Sequence, residues 1–249
     1  MKKKTVLITG ASAGIGLACA KLFAKEGSNL VLFARRMEKL EVLKTNLEQN
    51  YGIQVEIKQV DVRDRRQVAE ATEKLPPIDV LINNAGLAKG VEKIQDGYFE
   101  KWDQMIDTNV KGLLTVTRNI LPGMIERNEG HIINIGSIAG HEPYPGGNVY
   151  NATKFAVNAL TRAIRMDLLG YKIRVSSVDP GMVETEFSIV RLDDEQKAEK
   201  VYQGFNPLTA EDIADTVYFV ASRPSHVNIQ DVVIMPTDQA SATLVNRKI

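Results

Sequence analysis

The chain has 249 residues, 44% of them hydrophobic, which is enough for a well-buried core in one large α/β domain or two small ones. Lys plus Arg total 31 and Asp plus Glu total 31, and this balance leaves no electrostatic footprint for nucleic acid or an anionic membrane. A single cysteine cannot build an intrachain disulfide framework, no Cys/His cluster suggests a metal, and no apolar run approaches the length that spans a bilayer.

In chain order, Thr5 to Thr9 reads as a buried strand, and Gly14 to Lys25 as a helix stopped by Gly27. Leu30 to Ala34 is the next strand and Met37 to Tyr51 the next helix. Val55 to Val60 is a third strand, followed by a helix from Arg65 to Leu75 that Pro76-Pro77 ends. Val80 to Asn83 is a fourth strand, and one long helix is expected from about Tyr98 to Thr117 or beyond. Gly130 to Ile135, Ile173 to Val178 and Val232 to Met235 complete the strands, with helices at Tyr150 to Leu169 and Glu211 to Ser222. Continuous apolar strands separated by helices indicate an α/β fold: a doubly wound, Rossmann-type parallel sheet in a single domain. The stretch from about Val183 to Asn206 has the weakest helix or strand signal. It follows a strand end, where such sheets bind ligands, so it reads as a flap over the site or as an ordinary surface excursion.

Lys2-Lys3-Lys4, an apolar stretch and Ala18-Cys19-Ala20 imitate a secretory signal. Gly10, Gly14 and Gly16 interrupt that run, and a strand-turn-helix explains them better, so a cytoplasmic protein is expected. Cys19 reads as a small core residue. The helix from Tyr150 is apolar nearly all round, which hints at a second subunit on its outer side.

The segment Thr9-Gly10-Ala11-Ser12-Ala13-Gly14-Ile15-Gly16 sits between the first strand and the first helix. Gly10 suits a tight turn, Gly14 a close backbone approach to a pyrophosphate, and Gly16 close packing of helix on sheet. The helix N-terminus adds free N–H groups and the positive end of its dipole. Glycines also make plain turns; the strand before and the helix after are what make this a phosphate loop. The absence of GK[ST] excludes a P-loop nucleotidase. After the second strand, where NAD-specific proteins carry an acidic residue, stand Ala34, Arg35 and Arg36. Two guanidinium groups suit a 2′-phosphate and favour NADP over NAD.

Ser137 follows the fifth strand, and Tyr150 and Lys154 lie four residues apart on one helical face. A phenol is a poor base near neutrality unless its anion is stabilised, which a neighbouring ammonium does. So tuned, Tyr150 can take the proton of an alcohol, Ser137 can donate to the substrate oxygen, and a nicotinamide handles the hydride. Tyr-x-x-x-Lys alone is a common accident on helices. Ser137 and the glycine loop change its weight.

Together, Thr9–Gly16, Asn83-Asn84-Ala85-Gly86, Asn109, Ser137, Tyr150/Lys154 and Pro180-Gly181 resemble the short-chain dehydrogenase/reductase family over nearly the whole chain. The resemblance implies Tyr150 as acid/base, Ser137 as the group that polarises the substrate, and Lys154 as the residue that binds the nicotinamide ribose and lowers the Tyr150 pKa. Asn109 would hold a water in a proton relay. Asp61 and Val62 would flank the adenine, Asn84, Ala85 and Gly86 would line the cofactor cleft, and Pro180, Gly181, Val183 and Thr185 would hold the nicotinamide. Family members are often tetramers.

A narrower resemblance, in Gly181 to Arg191, Ala34-Arg35-Arg36 and Val232 to Thr237, is to NADP-dependent 3-hydroxy acid dehydrogenases, which oxidise serine, allo-threonine and similar acids. The Asp-Gly-Gly usual after the last strand of 3-oxoacyl-carrier-protein reductases is absent. A 3-hydroxy acid needs a cation for its carboxylate. Arg191 is the candidate, with a plain surface arginine as the alternative. His141 lies near the mouth and is a second possible substrate contact; His131, His226 and Trp102 read as structural. The competing functions are a reductase of 3-oxoacyl thioesters or other carbonyls, and a non-catalytic NADP-binding sensor.

Overall fold

The chain is described by a computed structural model covering residues 1–248. Its strands are β1 (Thr5–Thr9), β2 (Asn29–Ala34), β3 (Val55–Gln59), β4 (Val80–Asn83), β5 (Gly130–Ile135), β6 (Ile173–Pro180) and β7 (Asp231–Ile234). The helices are α1 (Gly14–Lys25), α2 (Met37–Tyr51), α3 (Arg65–Thr72), α4 (Phe99–Ile106), α5 (Leu113–Arg127), α6 (Asn148–Asp167), α7 (Phe187–Leu192), α8 (Glu195–Val201) and α9 (Ala210–Ala221). All seven strands run parallel in one sheet, in the order β3-β2-β1-β4-β5-β6-β7.

The strands are apolar on both faces because both faces are covered. In β1, Val6 and Ile8 face a core that includes Phe23 of α1, Leu40 of α2 and Val217 of α9. Leu7 points the other way, into a core with Val68 of α3 and Val116, Ile120 and Met124 of α5. Cys19 lies wholly buried in the first core, and burial pushes its thiol up to about 12. The strand order reverses between β1 and β4, so the carboxyl ends of these two strands open the crevice where doubly wound sheets bind ligands. No helix among the described residues is long and apolar enough to cross a membrane.

Two expectations are corrected. The long helix from Tyr98 is two helices, α4 and α5, joined by a π-helical turn over Asp107–Gly112. Asn109 sits in that turn and grips the main chain of Leu87, donating to its carbonyl at 2.8 Å and accepting from its N–H at 2.9 Å. Such a turn re-aims one residue without ending the helix, so apolar periodicity does not reveal it. The stretch 183–206, weak in helix signal, carries α7 and α8. These helices are too short to show a periodic face. Asp193 in the left-handed region (φ 54°) separates them, and Asp194 caps α8 by accepting from Lys197 N.

A buried polar ladder ties the sheet to the helices behind it. The Asn83 amide donates to Thr117 Oγ1 and to Asn134 Oδ1, both at 2.9 Å, and the Asn134 amide donates to Thr161 Oγ1 at 2.8 Å. These bonds join β4, β5, α5 and α6, the elements that carry the site. Asn134→Ala should leave buried polar groups short of partners and cost about 1–3 kcal/mol, read as a lower thermal unfolding midpoint, whereas a surface change such as Lys44→Ala should shift it little.

Candidate active site

The glycine loop takes its shape from crowding. Gly10 (φ +68°) and Gly14 (φ +51°) both sit in the left-handed region. A Cβ on Gly16 would collide with the Gly10 carbonyl and the Asn84 amide. That amide donates to Thr9 O at 2.9 Å and Gly10 O at 3.2 Å, and so clasps the loop to the end of β4. Helix α1 starts at Ala13 with no side chain capping it, unlike α3, which Asp64 caps. Its first N–H groups are therefore free to meet an anion, as a dinucleotide pyrophosphate requires.

These amides open on a cleft of about 370 Å³, in the size class of small-molecule sites. Its wall gathers most of the residues expected from sequence: Gly10, Ser12, Ala13, Gly14 and Ile15; Arg35 and Arg36; Asp61 and Val62; Asn84, Ala85 and Gly86; Ser137, Tyr150 and Lys154; Pro180, Gly181, Val183 and Thr185. Gly16 and Asn109 lie behind the wall and shape it. At one end, the Arg36 guanidinium donates from Nε to Ser12 Oγ at 3.2 Å and from its terminal nitrogen to Glu186 at 2.9 Å. Lys39 reaches the other Glu186 oxygen at 3.1 Å. Burial opposes the Glu186 charge, but Arg36 and Lys39 outweigh it and hold the carboxyl below its ordinary value. Cationic side chains at this end and uncapped amides in the middle fit a 2′-phosphorylated dinucleotide.

At the other end, Tyr150 is buried under Phe187 of α7, with ring centroids 5.7 Å apart. Burial pushes its phenol up, and Tyr144 adds to this; Ser137 and Arg191 pull it down. Lys154 Nζ lies 5.9 Å from the Tyr150 ring centroid and donates to Ile135 O at 2.9 Å. Burial lowers its pKa to about 8, against a raising influence from Asp179. Ser137 and Arg191 favour the phenolate, and the Lys154 ammonium stands beside the same ring. The same burial that raises the phenol also weakens the ammonium.

The Asn109 amide donates also to Thr153 Oγ1 at 3.0 Å, so both of its hydrogens are taken up within the protein. Arg191 projects from α7 to the Tyr150 rim. It donates to Tyr144 OH at 2.8 Å and lies 5.7 Å from the Tyr150 ring centroid. His141 does not line the cleft. Its Nε2 lies 2.8 Å from Asp179 Oδ2. Trp102 packs edge-on against Phe99, and His131 is buried against Ser176, as structural residues do. Sequence reasoning missed Glu186, Phe187, Tyr144 and Asp179. For Glu186 a signal existed, in an acidic residue next to Thr185 in the stretch expected over the site.

The short chain dehydrogenase family model matches residues 4–196. The chain is 49% identical over 245 residues to the NADP-dependent 3-hydroxy acid dehydrogenase YdfG of Salmonella typhi, covering 96% of this chain and 97% of that one. It is 43% identical to the serine 3-dehydrogenase of Agrobacterium fabrum, over 96% of each chain. Among solved structures, the closed form of a serine dehydrogenase complexed with NADP+ superimposes with a TM-score of 0.91 at 46% identity, over 98% of this chain and 100% of that one.

The depressed Lys154 gives a test of the site's dryness. Below about pH 8 the folded chain must hold this ammonium against burial; between about 8 and the ordinary 10.5 the unfolded chain binds the extra proton, so stability attributable to Lys154 rises with pH. Without added nucleotide, Lys154→Met should stabilise the protein by roughly 2 kcal/mol at pH 7, and urea titrations should show the gain shrinking toward pH 10.

Proposed function

The chain belongs to the short-chain dehydrogenase family, and we propose that it oxidises the 3-hydroxyl of small hydroxy acids such as serine and allo-threonine, with NADP as the redox partner. The observation that carries this reading is a pair of arginines at opposite ends of the site: Arg36 in the cleft wall beside the phosphate loop, and Arg191, behind the wall, 5.7 Å from the Tyr150 ring centroid. The first suits a 2′-phosphate. The second suits the carboxylate of a substrate whose hydroxyl reaches Tyr150, a few bonds away.

NADP, when bound, accepts the hydride that leaves the substrate carbon. The amides from Ser12 to Gly16 would hold its pyrophosphate, and Arg35 and Arg36 its 2′-phosphate. Asp61 and Val62 would flank the adenine, and Asn84, Ala85 and Gly86 would form the wall. Pro180, Gly181, Val183 and Thr185 would seat the nicotinamide, and Lys154 its ribose. Tyr150, as the phenolate, takes the hydroxyl proton as the hydride leaves the carbon and ends as the neutral phenol, and Ser137 donates a hydrogen bond to the same substrate oxygen. Ser137 and Arg191 favour the phenolate that precedes this transfer, and the buried Lys154 ammonium beside the ring adds to them more strongly than it would in water. A water held near Asn109 would connect Lys154 to solvent. The segment 183–206 is a flap: Phe187 covers Tyr150 and keeps water from the reacting atoms.

The same reading places this single-domain chain in the cytoplasm as a homotetramer. Phe155 and Met166 support the assembly: both are apolar, stand on the outer side of α6 and are exposed.

Tyr150→Phe should lower kcat by about 10²- to 10⁴-fold while NADP+ binding by calorimetry stays within twofold; retained turnover would end the assignment. Arg191→Met should raise KM for serine and allo-threonine by roughly tenfold or more and spare neutral secondary alcohols. An equal effect on both classes would remove Arg191 from substrate recognition.

A further inference from the structure

Glu186 lies 150 residues from Arg36 in sequence, yet its carboxylate meets two cations at the adenosine end of the cleft. Oε2 is 2.9 Å from Arg36 and Oε1 is 3.1 Å from Lys39. Arg36 is held in place from its other side by Ser12 of the phosphate loop. The next residue back, Thr185, rests on that loop as well: a Cβ on Gly14 would meet its side chain at 3.4 Å. Of the other charges near this end, Asp61 is paired with Arg63, and Arg35 adds a third cation. Glu186 is therefore the one acidic group placed on the Arg36–Lys39 pair among the described residues.

A carboxylate presenting two oxygens to two cations does what two oxygens of a phosphate monoester would do. A 2′-phosphate carries more charge and one more acceptor oxygen than a carboxylate does. Each ion pair is about 40–46% exposed, so each is worth little and exchanges readily with a stronger anion. A ribose 2′-hydroxyl has no charge with which to make that exchange.

From this geometry we infer that Glu186 is an internal competitor for the 2′-phosphate subsite, that Lys39 belongs to that subsite with Arg36, and that Glu186 lowers NADP affinity without touching that of an unphosphorylated dinucleotide, so that it narrows the discrimination between the two. When the phosphate takes Arg36 and Lys39, Glu186 turns to solvent, and the start of α7 is no longer tied to the end of β2. The inference rests on the reading of Arg36 as a phosphate-binding residue.

The test is calorimetric titration of the full-length protein with NADP+ and with NAD+, in wild type, Glu186→Gln and Arg36→Met. Glu186→Gln keeps the shape and removes the charge. It should tighten NADP+ by about two- to fivefold, the range that one or two exposed ion pairs supply, and leave NAD+ within error. The gain should shrink in 0.5 M salt, where surface charges are screened. Unchanged or weaker NADP+ binding in Glu186→Gln would overturn the inference, as would equal tightening of both nucleotides. Glu186→Ala, run alongside, should tighten NADP+ in the same direction; if it weakens NADP+, the carboxylate serves the bound state and the inference fails. Arg36→Met separates the two levels. If it abolishes the preference for NADP+ while Glu186→Gln tightens nothing, only the competition is wrong. If it leaves the preference intact, the phosphate role of Arg36 falls and takes the inference with it.

Discussion

The constraint on which the site depends is the burial of a cation and a phenol in the same dry pocket. Tyr150 and Lys154 are each less than a tenth exposed. Water would solvate the ammonium and leave the phenol ordinary; removing water raises one group and lowers the other. The fold offsets this with the Ile135 carbonyl, which accepts from Lys154, and with Asp179, whose charge favours the ammonium. Asp179 is itself buried against Gly136, where any side chain would collide with it, and it is held by Ser177 and His141. A glycine after β5, an acid at the end of β6 and a histidine beyond Ser137 thus serve one lysine on α6. Catalytic competence in this pocket depends on several modest contacts acting together, because no single one restores what solvent provided.

Much of this was legible in the sequence, for reasons that can be named. The strands were readable because a parallel sheet covered on both faces needs continuous apolar runs, which β1 and β5 have. The phosphate loop was readable because crowding at Gly10 and Gly16 allows no other residue. Ser137, Tyr150 and Lys154 were readable because their spacing follows from the ends of β5 and the start of α6. What escaped were features set by contacts between distant segments. The π-turn at Asp107–Gly112 arises from Asn109 reaching Leu87, a pairing across 22 residues that leaves the local pattern helical. Helices α7 and α8 escaped because six or seven residues are too few to show a periodic face. The contact of His141 with Asp179 escaped because it too joins distant segments.

The segment bearing α7 touches both ends of the cleft within a few residues. Thr185 and Glu186 lie against the phosphate loop and its arginine, Phe187 lies over Tyr150, and Arg191 lies beside the same ring. The groups proposed for dinucleotide recognition and for hydroxy-acid recognition are therefore carried on one short segment. Under the proposed function, a change that repositions this segment for one ligand would reposition it for the other and couple their affinities through packing.

Cys19 stands apart from this chemistry, on the buried face of α1 and with no solvent exposure. Because it is the chain's only sulfhydryl, its accessibility carries a single meaning. A thiol-reactive dye can modify it only when α1 lifts from the sheet, and α1 carries the phosphate loop at its first turn. The rate of labelling is thus a built-in clock for the opening of the nucleotide half of the molecule, and nucleotides that dock on α1 will slow it.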